Sequence, residues 1–194
     1  MKKLNSLTEI EHIIKQSLPT VTIYGIFELV AGMFLLGIEN SLKLLPGLLV
    51  LLPGILDLRG NISSTLGSRL GSALHLGYIN PDFKMNDDLK INLESSIILN
   101  VIMSIFIAFV AYITCMILGF EHMSFLAFVF ISLVSGTLSG IFLTFLTAFI
   151  AILTYNRGWD PDNITTPLAA TLGDITMVLF LLLTVKLTIW VGLL

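Results

Sequence analysis

The sequence predicts an all-α integral membrane protein with five transmembrane helices, the second of them broken, preceded by a short N-terminal amphipathic helix. Composition is the first observation behind this. Hydrophobic residues fill 56% of the 194 positions and charged residues only 12%, with a mean hydropathy of +0.97, far from the composition of a soluble globular domain. The second is the apolar stretches at 20–38, 43–72, 93–118, 123–155 and 164–193, each near or above the roughly 20 residues a helix needs to cross about 30 Å of hydrocarbon. The third is an acid, Asp174, inside the last stretch, where nothing after it is charged except Lys186.

Residues 1–19 form a cytoplasmic amphipathic segment ahead of a membrane domain at 20–194. Leu4, Leu7, Ile14 and Leu18 share a helical stripe, and Ser6 with Glu9 reads as a capping box, so the segment is expected to lie at the interface. It shows no signal-peptide pattern and is read as mature sequence. The second stretch contains Pro46-Gly47 and Pro53-Gly54, then turns polar through Asp57, Arg59 and Asn61, which predicts a break whose freed backbone groups need protein or water around them. The fourth carries Ser132, Gly136, Gly140, Thr144 and Ala148 at four-residue spacing, a small-residue stripe expected to admit a neighbouring helix backbone. In the fifth, Pro167 suits a first turn that Thr165 or Thr166 would cap.

Basic residues set the orientation. Lys2, Lys3, Lys15, Arg59, Arg69, Lys84, Lys90 and Arg157 fall on one side of this topology and Lys43 on the other, so the positive-inside rule puts the N-terminus in the cytoplasm and the C-terminus outside a multi-pass cell-membrane protein. With so few basic residues the chain has no electrostatic footprint for nucleic acid. Cys115 is the single cysteine, which excludes an intrachain disulfide and a multi-thiolate metal site and leaves a packing role.

A carboxylate at membrane depth is a functional-site hypothesis by default. Asn163, Pro167, Ala170 and Asp174 recur at helical spacing and place an amide, an approachable carbonyl and a carboxylate on one stripe, with the acid about 10 Å from the entrance. Asp160 and Asp162 stand at the mouth and would concentrate cations, unless they are an ordinary solvated loop. The alternative for Asp174 is a structural pair with Arg69 or Lys186. Glu28, near the middle of the first span, reads as a second ion ligand, a proton-coupled group or a hydrogen-bonded structural residue. Asp57 is read first as a local ion pair with Arg59, whereas Asn61 can lend an amide oxygen to a cation.

Oxygen donors without clustered His or Cys suit Mg²⁺, Ca²⁺ or Mn²⁺ over Zn²⁺ or Cu²⁺. Mg²⁺ keeps several waters and needs few protein oxygens. One Asp per chain is too little for a divalent ion, so a two-fold axis presenting two copies of Asp174, a homodimer, is expected. His12, His75 and His122 show no metal spacing, and Asp82, Asp87 and Asp88 lack the glycine and terminal glutamate of a calcium loop.

Two blocks resemble one family. The run Pro53-Gly54-Ile55-Leu56-Asp57-Leu58-Arg59-Gly60-Asn61, continued by Ile62-Ser63-Ser64-Thr65 to Leu70, resembles the glycine-asparagine segment of the MgtE family and its animal solute-carrier relatives. The block with Asp160-Pro161, then Pro167, then Asp174 resembles that family's final-helix motif. The resemblance implies divalent-cation transport, Mg²⁺ first with Mn²⁺ or Co²⁺ as alternatives, through a pore at a dimer axis. By the same resemblance, Asp174 binds the hydrated ion, with Ala170 and Thr166 one and two turns before it and Asn61 and Thr65 facing from the second helix. By this resemblance the chain is expected to be a single membrane domain without the long cytoplasmic sensor domains of bacterial members, like one half of the animal relatives, and it has no glutamine in the four residues after the glycine-asparagine pair. Two other functions compete: a metal-dependent membrane enzyme acting on a lipid or phosphate, with its metal on Asp160 and Asp162, and a structural membrane partner.

Overall fold

The computed structural model describes the backbone of residues 2–39, 44–82 and 84–193; most side chains before Thr22, and those of Ile38, Asp162 and Asn163, fall outside the description. Helix α1 spans Lys2–Leu35 and runs into a 3-10 turn at Leu36–Ile38; α2 spans Leu48–His75, α3 Asp87–Leu118, α4 Phe125–Asn156 and α5 Pro161–Val191. All regular structure among the described residues is thus helical. Three helical stretches, Asp87–Leu118, Phe125–Asn156 and Ile164–Val191, are long and apolar enough to cross a membrane. The apolar run of α1 is shorter, Thr22–Leu35, and α2 is made less apolar by Asp57, Arg59 and Asn61.

Helix ends follow local chemistry. The Asn86 side chain accepts from Leu89 N–H at 2.8 Å, which caps α3, and Asp87 and Asp88 complement the positive end of its dipole. Gly119, at φ 68°, ends it in the left-handed conformation that glycine adopts without penalty. Ser124 caps α4 by accepting from Ala127 N–H at 3.2 Å.

Three expected boundaries change. Residues 2–35 form one continuous helix through Pro19, not a separate amphipathic helix followed by a span; Ile14 and Leu18 are exposed on it, while the side chains of Leu4, Ser6, Leu7 and Glu9 lie outside the described set. In the second segment the interruption falls at Pro46-Gly47, after which α2 runs unbroken through Pro53. Gly47 has φ 86°, and a Cβ there would meet Phe128 Cζ at 2.7 Å, so turn and packing both require glycine. The last helix begins at Pro161. Pro161 takes the first-turn role assigned to Pro167, and Thr165 and Thr166 lie inside the helix instead of capping it.

Helices α2 to α5 pack on one another, and α1 lies against α5. Two separate apolar clusters result. One joins Leu48, Leu51 and Ile55 of α2 to Ala111, Phe128 and Leu181; the other joins Leu66 and Leu70 to Leu89, Leu93, Ala151 and Ile152. On α2, α3 and α4 the residues between these clusters include Arg59, Ser63, Asn100, Ser104, Ser135 and Ser139, all buried. A polar belt therefore crosses the middle of the bundle, and Cys115 packs in the first apolar cluster.

Candidate functional site

The site grows from the crossing of α2 and α5. A Cβ on Gly173 would stand 3.7 Å from Gly60 N and 3.8 Å from the Arg59 carbonyl carbon, and one on Gly60 would stand 3.9 Å from Ala170 Cβ. Small residues on both helices allow this approach. One turn toward the other end, Ser64 Oγ donates to the Thr166 carbonyl at 3.4 Å, and a Cβ on Gly67 would stand 3.6 Å from Thr166 Oγ1. Residues 60 to 67 thus meet 173 to 166 in antiparallel order, which sets Asp57 beside Asp174.

Around this crossing lie most of the residues singled out in the sequence. Glu28 of α1 and Asp57 of α2 are the two acids whose charges act on Asp174 of α5. Acids of three helices thus face one region of the chain, without forming a three-carboxylate metal cluster among the described residues. Asn61 Nδ2 donates to Asp57 Oδ2 at 2.8 Å, and Thr65 Oγ1 donates to the Asn61 carbonyl at 2.8 Å. Asp57, Asn61 and Thr65 stand at four-residue spacing and are exposed, while Thr166, Ala170 and Asp174 are half-buried. The stripe is polar over about 12 Å of helix, at 1.5 Å per residue, and faces outward from a chain whose exposed surface includes many large apolar side chains.

The structure separates what the sequence had joined at the mouth. Asp160 lies 14 positions before Asp174, about 20 Å along the helix axis, and is within 3.7 Å of His75 Nε2, with both side chains about half exposed. His75 in turn meets Tyr155 edge-on at 5.3 Å. The side chains of Asp162 and Asn163 lie outside the described residues. His75 showed no signal as a ligand in the sequence because its partner is 85 positions away.

Two proposed ion pairs are replaced. Asp57 does not pair with Arg59, since residues two apart on a helix point to different faces; Asp57 is held by Asn61, while Arg59 is buried and donates through Nη2 to Ser104 Oγ at 2.8 Å. Asp174 joins neither Arg69 nor Lys186 in the ion pairs among the described residues. Arg69 donates to Ser96 Oγ at 3.0 Å, and Lys186 is exposed.

The stripe on α4 meets a helix backbone at Ser132, whose Oγ donates to the Ser104 carbonyl of α3 at 2.7 Å, but its glycines serve differently. Gly136 and Gly140 admit side chains, not a helix backbone: a Cβ on Gly140 would stand 2.5 Å from Asn100 Cγ and 2.9 Å from Arg59 Nη1, and one on Gly136 would stand 2.5 Å from Arg59 Nη2. These glycines form the seat of a guanidinium. Sequence reading missed this, although Arg59 at mid-segment and the four-residue ladder Ser96, Asn100, Ser104 on α3 were both visible.

Among the described residues no group of three or more His, Cys, Asp or Glu is close enough to grip a bare metal ion. The crossing offers carboxylates, an amide oxygen, hydroxyls and carbonyls, which are hard oxygen donors suited to a cation that retains water.

Comparison with known proteins agrees with this chemistry. A family model described as MgtE, divalent cation transporter, matches residues 52–184, a span that contains most of both helices of the crossing. The chain belongs to the MgtE family of divalent cation transporters. Its curated relatives include solute carrier family 41 member 2 of Gallus gallus, 30% identical over 138 residues, covering 65% of this chain and 22% of that protein. The Homo sapiens member 2 is 29% identical over 138 residues, with the same coverage. Member 3 of Mus musculus is 28% identical over 134 residues, covering 66% of this chain and 27% of that protein. The match therefore spans about a quarter of the length of these relatives. MgtE proteins are membrane transporters, not enzymes, which removes the lipid or phosphate chemistry considered for Asp160 and Asp162.

Proposed function

We propose that this chain moves a divalent cation, Mg²⁺ first, across the cell membrane along the α2–α5 crossing, and that two copies complete the path. The observation that carries this is the outward-facing stripe Asp57, Asn61, Thr65 beside Asp174. In hydrocarbon such a stripe is unfavourable by several kcal/mol unless protein or water covers it. A second copy related by a two-fold axis would cover it with an identical stripe and bring two Asp174 carboxylates to one ion.

In this reading the ion keeps part of its water shell, Asp174 supplies the central charge, and Ala170 and Thr166 lend oxygens along α5. Asn61 and Thr65 face them from α2, with Glu28 and Asp57 as a secondary site. Asp160, Asp162 and Asn163 draw cations to the mouth. All five helices span, with α1 and α2 completing the three more apolar ones, the N-terminus inside and the C-terminus outside. Mn²⁺ and Co²⁺ accept the same donors and are the nearest competitors.

The experiment is uptake of Mg²⁺ into liposomes that contain only the full chain, with Mn²⁺ and Co²⁺ as competitors and with imposed Na⁺ and H⁺ gradients. Saturable Mg²⁺ uptake above empty liposomes is expected. Liposomes as tight to all three ions as protein-free controls would refute the proposal.

A further inference from the structure

Arg59 has no place in the ion path just described, yet it is a charged side chain in the middle of a membrane bundle with 1% of its surface exposed. Among the described residues only Nη2 is bonded, to Ser104 Oγ at 2.8 Å, while Nε and Nη1 have no partner there and neither does Asn100 Oδ1 beside them. None of the ion pairs among the described residues includes Arg59. Gly136 and Gly140 leave room for the guanidinium where any Cβ would collide with it. Guanidinium remains protonated throughout the ordinary pH range, so the bundle holds a positive charge without an ion-pair partner among the described residues. That arrangement is unfavourable by several kcal/mol, and neutral packing would remove the penalty.

The position of this charge suggests its use. Arg59 lies between Asp57 and Asn61 in sequence and points into the bundle, whereas those two are exposed on the outer face of α2. A helix is about 10 Å across, so the guanidinium stands about one helix diameter behind any cation on the stripe. It repels a divalent ion twice as strongly as a monovalent one. Two Asp174 carboxylates brought to one ion would otherwise hold Mg²⁺ too tightly to release it, and conduction requires binding weak enough to leave. The geometry points to Arg59 as the residue that sets divalent-cation affinity: a fixed positive charge that touches no ion and loosens the acid site from behind. This rests on the transport reading for its purpose, but its physical content is a binding constant.

Mg²⁺ binding to the full chain in lipid nanodiscs, by titration calorimetry, tests it alongside thermal stability and liposome flux. Arg59→Gln removes the charge and should tighten Mg²⁺ binding about tenfold or more, judged from Coulomb repulsion over about 10 Å at an effective dielectric between about 20 and 50. Arg59→Lys keeps the charge and should stay within about threefold of wild type. Asn100→Asp tests the same idea without touching Arg59, because it sets a carboxylate beside Nη1 in a side chain of equal size. It should hold or raise the melting temperature and also tighten Mg²⁺ binding. A purely structural Arg59 predicts the opposite for Arg59→Gln, with lower stability and weaker or unchanged binding, and predicts no change of affinity for Asn100→Asp. Either result overturns the inference; if Arg59→Gln fails to fold, Asn100→Asp decides alone. Absence of flux through the wild type would refute the transport reading separately, and the binding shift would still be measured. Absence of Mg²⁺ binding in every variant would overturn both.

Discussion

Asn61 Nδ2 donates to Asp57 Oδ2 at 2.8 Å across one turn of α2, so the amide nitrogen is committed to the acid and the amide oxygen remains as an acceptor. The bond fixes which end of Asn61 a cation meets. Asn61→Asp would put two like charges at adjacent turns, and Asn61→Ala would free Asp57 while removing the oxygen. Because both side chains are exposed, Asn61→Ala should leave stability within about 0.5 kcal/mol and weaken Mg²⁺ affinity by roughly threefold to tenfold, the net worth of about one ordinary hydrogen bond. Melting temperature and uptake measured on one preparation separate the two effects.

The assembly follows from the same outward face. Native mass measurement in detergent or lipid should give twice the 21.3 kDa of the chain. An introduced Thr65→Cys should cross-link two copies in the membrane, and Cys115, being buried, should not compete for the reagent. A functional monomer carrying a complete path would contradict the two-copy arrangement.

Glycines on α4 and α1 are expected to behave oppositely. Gly140→Ala forces a methyl to 2.5 Å from Asn100 Cγ and should destabilise by about 1 to 3 kcal/mol through overpacking. Gly25→Ala meets nothing within 4 Å and should stabilise by up to about 1 kcal/mol through helix propensity. Thermal shift assays on both variants check the signs.

Apolar length and composition made the helical fold legible before any coordinates, and the Asp57 to Asn61 and Asp160 to Asp174 blocks pointed to the two helices that meet. What the sequence could not reveal was direction around each helix. Asp57 and Arg59 are two positions apart, and reading them as a pair ignored the turn that sends one outward and the other into the bundle. Gly136 and Gly140 looked like a backbone contact because a small-residue stripe has the same spacing whether it admits a helix or a guanidinium from α2. The approach of Glu28 to Asp174 joins residues far apart in sequence, so only tertiary packing brings them together. Helix starts were misplaced for a local reason: two prolines, Pro161 and Pro167, each fit a first turn, and the earlier one takes it.

Asp174→Asn tests the central claim most directly. The substitution keeps size and one oxygen but removes the charge, so Mg²⁺ uptake into liposomes should show affinity weakened by about tenfold or more, judged from Coulomb attraction at an effective dielectric of about 20, with folding intact because a neutral amide is easier to bury than a carboxylate. If Asp174→Asn carries Mg²⁺ at the wild-type rate and affinity, Asp174 is not the ion-binding acid and the account fails.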